Sequence, residues 1–117
     1  MSELLNVEYA LSLLDGQVDL LKDLLENFIN DKLLDRFHLL ELEEAQDKIP
    51  AAKYVHYFKG AARQLGATKL ASSGQNLEDA LRNNQTEHLK ELTDAFTRDY
   101  ADTYKAMEDC ITDLGSS

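Results

Sequence analysis

The last third of the chain carries an apolar stripe that repeats every three or four residues. This spacing places the stripe on one face of an α-helix. We expect that helix over about residues 86–114, with Thr86 capping its start. A long helix with a single apolar face must pack against other helices, so the stripe predicts a helical bundle. Its members are Leu89, Leu92, Phe96, Tyr100, Thr103, Met107 and Cys110.

The composition agrees with an all-helical domain. The chain has 117 residues, of which 44% are hydrophobic, and it contains one proline and five glycines. Helix-favouring residues dominate, whereas strand-favouring residues are sparse. No linker or internal repeat divides the sequence, so we predict one domain over residues 1–117, with a disordered tail at 115–117.

Five further helices are predicted before the last one, over about residues 7–14, 17–30, 32–46, 50–65 and 68–82. Pro50 suits a first helical turn, and Gly66 suits a left-handed C-terminal cap. Whether the chain kinks or breaks at Asn30-Asp31 stays open. We expect an antiparallel up-down four-helix bundle whose short first helix covers one end or side. The side chains expected to face inward on the second and third helices are Val18, Leu21, Leu25, Phe28, Ile29, Leu33, Phe37 and Leu40.

Charge and cysteine content exclude several functions. A formal net charge of −10 repels nucleic-acid phosphates and anionic membranes. The single cysteine, Cys110, cannot form an intramolecular disulfide, and no cysteine and histidine cluster has metal-ligand spacing. No apolar run approaches a membrane span and no signal peptide is visible. We therefore expect a cytoplasmic domain without cofactor or metal, and without nucleic-acid or membrane partners.

The fourth helix presents two distinct groups of residues. Its core face holds Ala51, Val55, Phe58, Ala62 and Leu65. A second group, which the helical projection turns outward or to the flank of the bundle, consists of Ala52, His56, Lys59, Gly60 and Arg63. Glycine inside a helix costs roughly 1 kcal/mol relative to alanine. Gly60 lies one turn beyond His56, so we expect it to leave space for something that approaches the ring.

This arrangement predicts phosphoryl chemistry at His56. A neutral imidazole is nucleophilic near neutral pH and can accept a phosphoryl group on a ring nitrogen. The product carries about two negative charges, which the ammonium of an outward-facing Lys59 would stabilise. One ring nitrogen attacks while the other donates a hydrogen bond, and Glu78 on the fifth helix is the candidate acceptor.

The stretch "HYFKGAARQLGATKL" followed by "NLEDA" resembles the histidine-containing phosphotransfer domain. The matching positions are His56, Lys59-Gly60, Gly66, Leu70 and Leu77-Glu78, and residues 10–31 resemble the first two helices of that family. The resemblance implies that His56 takes a phosphoryl group from the aspartyl phosphate of a receiver domain and returns it to another. It further implies that Lys59 stabilises the phosphoryl group, Gly60 admits the receiver and Glu78 orients the imidazole. Ser72-Ser73-Gly74 departs from the bulkier apolar residues of many members, which we expect to loosen packing without touching the site.

Three functions are compatible with these residues. The first is a phosphorelay intermediate, expected to be a monomeric phosphocarrier, not an enzyme. Its partners would be receiver domains of response regulators or hybrid histidine kinases, which supply Mg²⁺ and the aspartate. The second is the phosphoacceptor domain of a chemotaxis-type kinase, although the nearness of both chain ends to helices favours a free-standing protein. The third is a helical docking module without phosphotransfer, which would use the small-residue surface around His56. We expect Ala52, Gly60 and Arg63 to be the residues that contact a docking partner.

Overall fold

A computed structural model describes residues 4–31 and 33–115. This part of the chain forms six α-helices and no strand, which confirms the all-helical prediction. The helices are α1 (Val7–Leu13), α2 (Val18–Asn30), α3 (Arg36–Glu44), α4 (Ile49–Gln64), α5 (Thr68–Arg82) and α6 (Leu89–Gly115). The chain breaks after Asn30, so that α2 and α3 are separate helices.

The packing of the helices produces one elongated core. Helix α4 packs against α5, α5 against α6, α6 against α2 and α3 against α4, while α1 contacts α2. The whole has principal extents of 50 × 22 × 20 Å. The five predicted core residues of α4 are all buried, as are Leu21, Leu25 and Ile29 on α2. Val18 is exposed, contrary to expectation, because it lies in the first turn of α2.

The stripe of α6 lies against the other helices as predicted. Phe96, Tyr100, Thr103 and Met107 are buried, and the stripe residues at both ends are partly buried. The helix begins later than expected, at Leu89, whose N–H donates to the carbonyl of Thr86 at 3.3 Å. Gly115 is the last helical residue of α6 and not part of a disordered tail. Ser116 and Ser117 lie outside the described residues.

Helix α3 is the element that sequence periodicity placed wrongly. It begins at Arg36, because the side chain of Asp35 accepts from the N–H groups of Phe37 and His38 and caps the helix there. Leu33 and Phe37 are therefore exposed, Phe37 to 77%, and Leu40 is only partly buried. Leu39 and Glu43 face inward in their place. Lys32, the predicted first residue, lies outside the described part of the chain.

Two phenol groups hold the segment before α3. The hydroxyl of Tyr100 accepts from the N–H of Leu34 at 3.2 Å, and that of Tyr54 accepts from the N–H of Asp35 at 2.9 Å. Both tyrosines belong to a chain of ring contacts that includes Phe58 of α4. These two backbone donors of the segment are thereby satisfied, and α3 is fixed at the side of α4.

The turn between α4 and α5 fixes the antiparallel arrangement of these two helices. Gly66 has φ +76°, the left-handed conformation predicted for a C-terminal cap. The N–H of Ala67 donates to the carbonyl of Ala62 at 2.8 Å, which satisfies one of the last acceptors of α4. The carbonyl of Gly66 accepts from the N–H of Asn6 at 2.7 Å, so the residue before α1 is attached to this turn.

Candidate functional site

The ring of His56 lies on the surface of α4 and contacts a buried carboxylate of α5. Its side chain is 59% exposed, whereas that of Glu78 is only 6% exposed. The Nδ1 atom lies 3.1 Å from both Oε1 and Oε2 of Glu78. Since α4 and α5 are adjacent and antiparallel, the two side chains meet although they are 22 residues apart in the chain.

Glu78 is held by three side chains at once. Nζ of Lys59 lies 2.9 Å from Oε1, and Nε of Arg82 lies 2.7 Å from Oε2. Burial on its own raises the pKa of this carboxyl group, but the hydrogen bonds from Lys59, Arg82 and His56 outweigh burial and lower the pKa to about 2. Glu78 is therefore ionised at neutral pH and can only accept hydrogen bonds.

The ionised carboxylate determines the tautomer of the neutral imidazole. Because Glu78 has no proton to donate, the proton of a neutral His56 ring must lie on Nδ1 to make the contact favourable. The lone pair then lies on Nε2. A ring that is more than half exposed, with its Nδ1 anchored, presents this second nitrogen as the nucleophile.

Lys59 and Ala52 are buried, although the helical projection placed their group outward or at the flank of the bundle, and the outward orientation expected of Lys59 is wrong. Ala52 is 0% exposed and the Lys59 side chain 7%. Lys59 lies on the flank of α4 that α5 covers, and a helical projection of one helix cannot show how far its neighbour reaches. Ala52 is thus not a surface for a docking partner, and Lys59 is part of the α4–α5 contact.

Gly74 of α5 makes the room that Lys59 occupies. A Cβ atom at this position would lie 3.1 Å from Cβ of Lys59 and 3.2 Å from Cε1 of Phe96. The expectation that residues 72–74 do not touch the site is therefore wrong. The missing side chain lets the Lys59 stem pass between the helices, and its ammonium reaches Oε1 of Glu78.

Gly60 and Arg63 lie on the accessible side of the site. A Cβ atom at Gly60 would meet no heavy atom within 4 Å, so the space above this residue is open. Arg63 is exposed and donates from Nη2 to Oε1 of Gln75 at 3.3 Å. These two residues and the His56 ring form an open surface along α4, with Lys59 and Glu78 beneath it.

The site also includes two residues, Arg82 and Gln75, that the sequence analysis did not identify. Arg82 follows Glu78 by four residues, a spacing at which opposite charges on a helix pair, and this signal was present in the sequence. Gln75 precedes Glu78 by three residues and accepts from Nζ of Lys59 at 3.0 Å. The only sequence signal for Gln75 was its place on the same face of α5 as Glu78.

Within residues 4–31 and 33–115, no group of three or more histidine, cysteine, aspartate or glutamate side chains is arranged to hold a metal ion. No helix among these residues has the combined length and apolar character of a membrane span.

His38 and Cys110 lie outside the site. His38 packs edge to face against Tyr54, with ring centroids 5.1 Å apart. Burial and then the neighbouring Asp113 raise the pKa of the Cys110 thiol.

Comparison with known proteins gives one match. The family model described as Hpt domain matches residues 8–117, which is nearly the entire chain. No curated protein and no solved structure matches this chain. The match includes every residue of the site, from His56 on α4 to Arg82 at the end of α5.

Proposed function

Because the chain belongs to the Hpt domain family, whose members are phosphocarriers in two-component signalling, we propose that it is a phosphorelay intermediate. It accepts a phosphoryl group on His56 from the aspartyl phosphate of one receiver domain and passes it to the aspartate of another. The observation that carries the proposal is the exposed His56 ring with Nδ1 on the buried Glu78 carboxylate.

The transfer step follows from this geometry. The Nε2 lone pair of neutral His56 attacks the phosphorus atom, the N–P bond forms, and the bond between phosphorus and the aspartyl oxygen breaks. The aspartate leaves as a carboxylate, and the ring becomes a phosphoimidazolium that keeps its proton on Nδ1. Glu78 accepts a hydrogen bond from this N–H throughout, so the positive charge that develops on the ring meets a fixed negative charge.

Lys59 and Arg82 adjust the charge around this step. A phosphoryl group on the ring brings about two negative charges to a place where Glu78 already contributes one. Lys59 and Arg82 each carry one positive charge and Glu78 carries one negative charge, so the three side chains together have a net charge of +1. Lys59 thereby stabilises the phosphoryl group from its buried position on Glu78 and not, as expected from the sequence, from the surface.

Gly60 and Arg63 receive the partner. The open space above Gly60 admits the receiver's active site to the face of α4. Receiver acceptor sites are acidic, so the exposed guanidinium of Arg63 offers a complementary charge at the edge of this surface. The partner contributes the Mg²⁺ ion and the aspartate, because transfer to a carboxylate requires charge neutralisation around the phosphoryl oxygens.

The remaining features of the proposal concern the domain as a whole. Residues 1–117 act as one monomeric domain in the cytoplasm, with no nucleic-acid or membrane partner. Helices α2, α4, α5 and α6 form an antiparallel up-down bundle, supported by the contacts between α4 and α5, α5 and α6, and α6 and α2. Such a bundle gives His56 a rigid base from which to meet two different receivers.

Incubation with a phosphorylated receiver domain tests the function directly. The protein should acquire an acid-labile, base-stable label, and His56→Gln should abolish it. His38→Gln is the matched control and should label like the wild type, because His38 lies against Tyr54 and outside the site. Receiver binding that is indifferent to His56→Gln, with no label on any variant, would instead establish a docking module. Labelling by the ATP-binding domain of a kinase, but not by receivers, would establish the chemotaxis-type alternative.

A further inference from the structure

The amide of Gln75 contacts three charged side chains, although the transfer step described above does not use it. Its Oε1 accepts from Nζ of Lys59 at 3.0 Å and from Nη2 of Arg63 at 3.3 Å. Its Nε2 donates to Oδ1 of Asp79 at 2.8 Å. Two cations lie at the oxygen end and one carboxylate at the nitrogen end, so the charges of its neighbours fix the orientation of the amide.

Gln75 reaches the reacting ring through two intervening side chains. Lys59 lies between Gln75 and Glu78, with Nζ 3.0 Å from the amide oxygen and 2.9 Å from the carboxylate. Glu78 in turn contacts Nδ1 of His56 at 3.1 Å. The Lys59 side chain is 7% exposed, and an ammonium group buried to this degree needs protein acceptors for its hydrogens.

We infer that Gln75 is a positioning residue for phosphotransfer: its carbonyl keeps Lys59 seated on Glu78, and so keeps the Glu78 carboxylate against Nδ1 of His56. This inference rests on the proposed function of His56. Gln75 does not touch the ring and acts only through Lys59 and Glu78.

The chemistry of an amide suits this position better than either alternative. A carboxylate at residue 75 would compete with Glu78 for the Lys59 ammonium and add a negative charge beside the incoming phosphate. An apolar side chain would leave a buried N–H of Lys59 without its acceptor, and the flexible lysine would then move toward water. A neutral acceptor satisfies the hydrogen while the charge of Lys59 stays with Glu78.

The contact with Arg63 gives the amide a second role at the surface. This hydrogen bond is longer, at 3.3 Å, and lies in an exposed region. Arg63 can exchange it for an anionic group of a partner without moving Lys59, because the Lys59 contact is shorter and less exposed. Gln75 thus binds two cations with different roles: Lys59 stays in the site, whereas Arg63 can leave the amide to contact the receiver.

The test uses Gln75→Leu and Gln75→Glu in the full chain. Asn76→Leu and Asn76→Asp are matched controls, because Asn76 is an exposed neighbour on α5, and each control removes the amide for the same apolar side chain or adds the same negative charge. The first measurement follows the Glu78 carboxyl carbon by NMR while the pH is lowered, without phosphate or partner. Both Gln75 variants should raise the pKa of Glu78 by about one unit or more, since Lys59 leaves the carboxylate, and neither control should change it.

The second measurement is the rate of label transfer from a phosphorylated receiver. Both Gln75 variants should transfer about tenfold more slowly than the wild type, the loss typical of a residue that orients a reacting group through its partner. Unchanged titration of Glu78 in Gln75→Leu would overturn the inference, whatever the transfer rates, because in Gln75→Glu the new carboxylate also raises the pKa of Glu78 by direct repulsion. Failure of the wild type to accept a phosphoryl group would overturn the proposed function, while the titration would still decide the role of Gln75.

Discussion

The Nδ1 atom of His56 is equidistant, at 3.1 Å, from the two carboxylate oxygens of Glu78. Each of these oxygens also accepts from a cation, Oε1 from Lys59 and Oε2 from Arg82. The carboxylate therefore cannot rotate toward one partner without losing another. A surface histidine gains a fixed orientation in this way although most of its ring is in contact with water.

Replacing Glu78 with glutamine should slow phosphotransfer while leaving the ring in place. Glutamine retains an acceptor for Nδ1–H, but its amide can also donate to Nδ1 and so permits the other tautomer. We expect the transfer rate to fall about tenfold to a hundredfold. Nitrogen-15 NMR of His56 should show a mixture of tautomers in Glu78→Gln and mainly the Nδ1–H form in the wild type; the same single tautomer in both would contradict this account.

The Glu78 site should make folding stability depend on pH in acid. The folded-state pKa of Glu78 is about 2, below its ordinary value of 4.5. Stability from this carboxylate is thus present above about pH 4.5 and lost as the pH falls through 2. The difference of about 2.5 units corresponds to on the order of 3 kcal/mol. Urea unfolding of wild type and Glu78→Gln at several pH values should show a gap that closes between pH 5 and pH 2.

Lys59→Met should destabilise the fold, because Lys59 is buried and not outward-facing. Methionine has a similar shape, but it leaves the buried Glu78 carboxylate without one of its two cations. We expect a loss of about 3 kcal/mol in the free energy of unfolding. Lys53→Met, at an exposed position of the same helix, is the control and should change stability by less than about 0.5 kcal/mol. Equal stabilities of the two variants would mean that Lys59 is not held in the site.

The two glycines in the middle of α4 and α5 should respond oppositely to alanine. Gly60→Ala adds a methyl group in open space and should stabilise the protein by up to about 1 kcal/mol through helix propensity. Gly74→Ala gains the same propensity but forces its methyl group against Lys59 and Phe96, and overpacking of this kind costs about 1–3 kcal/mol. The midpoints of thermal unfolding of the two variants should therefore shift in opposite directions.

A longer side chain at residue 60, in Gly60→Gln, should block phosphotransfer while the domain stays folded.

Glu43→Gln should stabilise the protein at neutral pH. Burial raises the pKa of Glu43, and the hydrogen bond from Thr93 and the nearby Lys48 and Arg36 only partly offset it. Because the pKa of Glu43 is raised in the folded state, its protonated carboxyl group contributes stability below the ordinary pKa of 4.5. That contribution is lost as the pH rises. Glutamine still accepts from Thr93, which lies 2.8 Å and 3.0 Å from the two carboxylate oxygens, but it carries no charge to bury. The gain at pH 7 should vanish near pH 4, and Glu44→Gln, at an exposed position, should show neither effect.

Helical periodicity was sufficient to predict an all-helical fold, the bounds of α4 and α5 to within one residue, and the exposed position of His56. It also placed Glu78 on the neighbouring helix, because a short turn through Gly66 makes α4 and α5 antiparallel neighbours. It could not predict that Lys59 is buried, since that depends on the space left by Gly74 on another helix. The start of α3 was missed for a similar reason: the hydroxyls of Tyr54 and Tyr100 hold the preceding segment from 19 and 66 residues away.

The hydrogen bond from the N–H of Asn6 to the carbonyl of Gly66 attaches the residue before α1 to the turn between α4 and α5. Gly66 belongs to this turn, which joins the helices that carry His56 and Glu78, and a Cβ atom on Gly66 would collide with the carbonyl of Asn6. The position of the segment before α1 therefore depends on the same turn that makes α4 and α5 antiparallel neighbours.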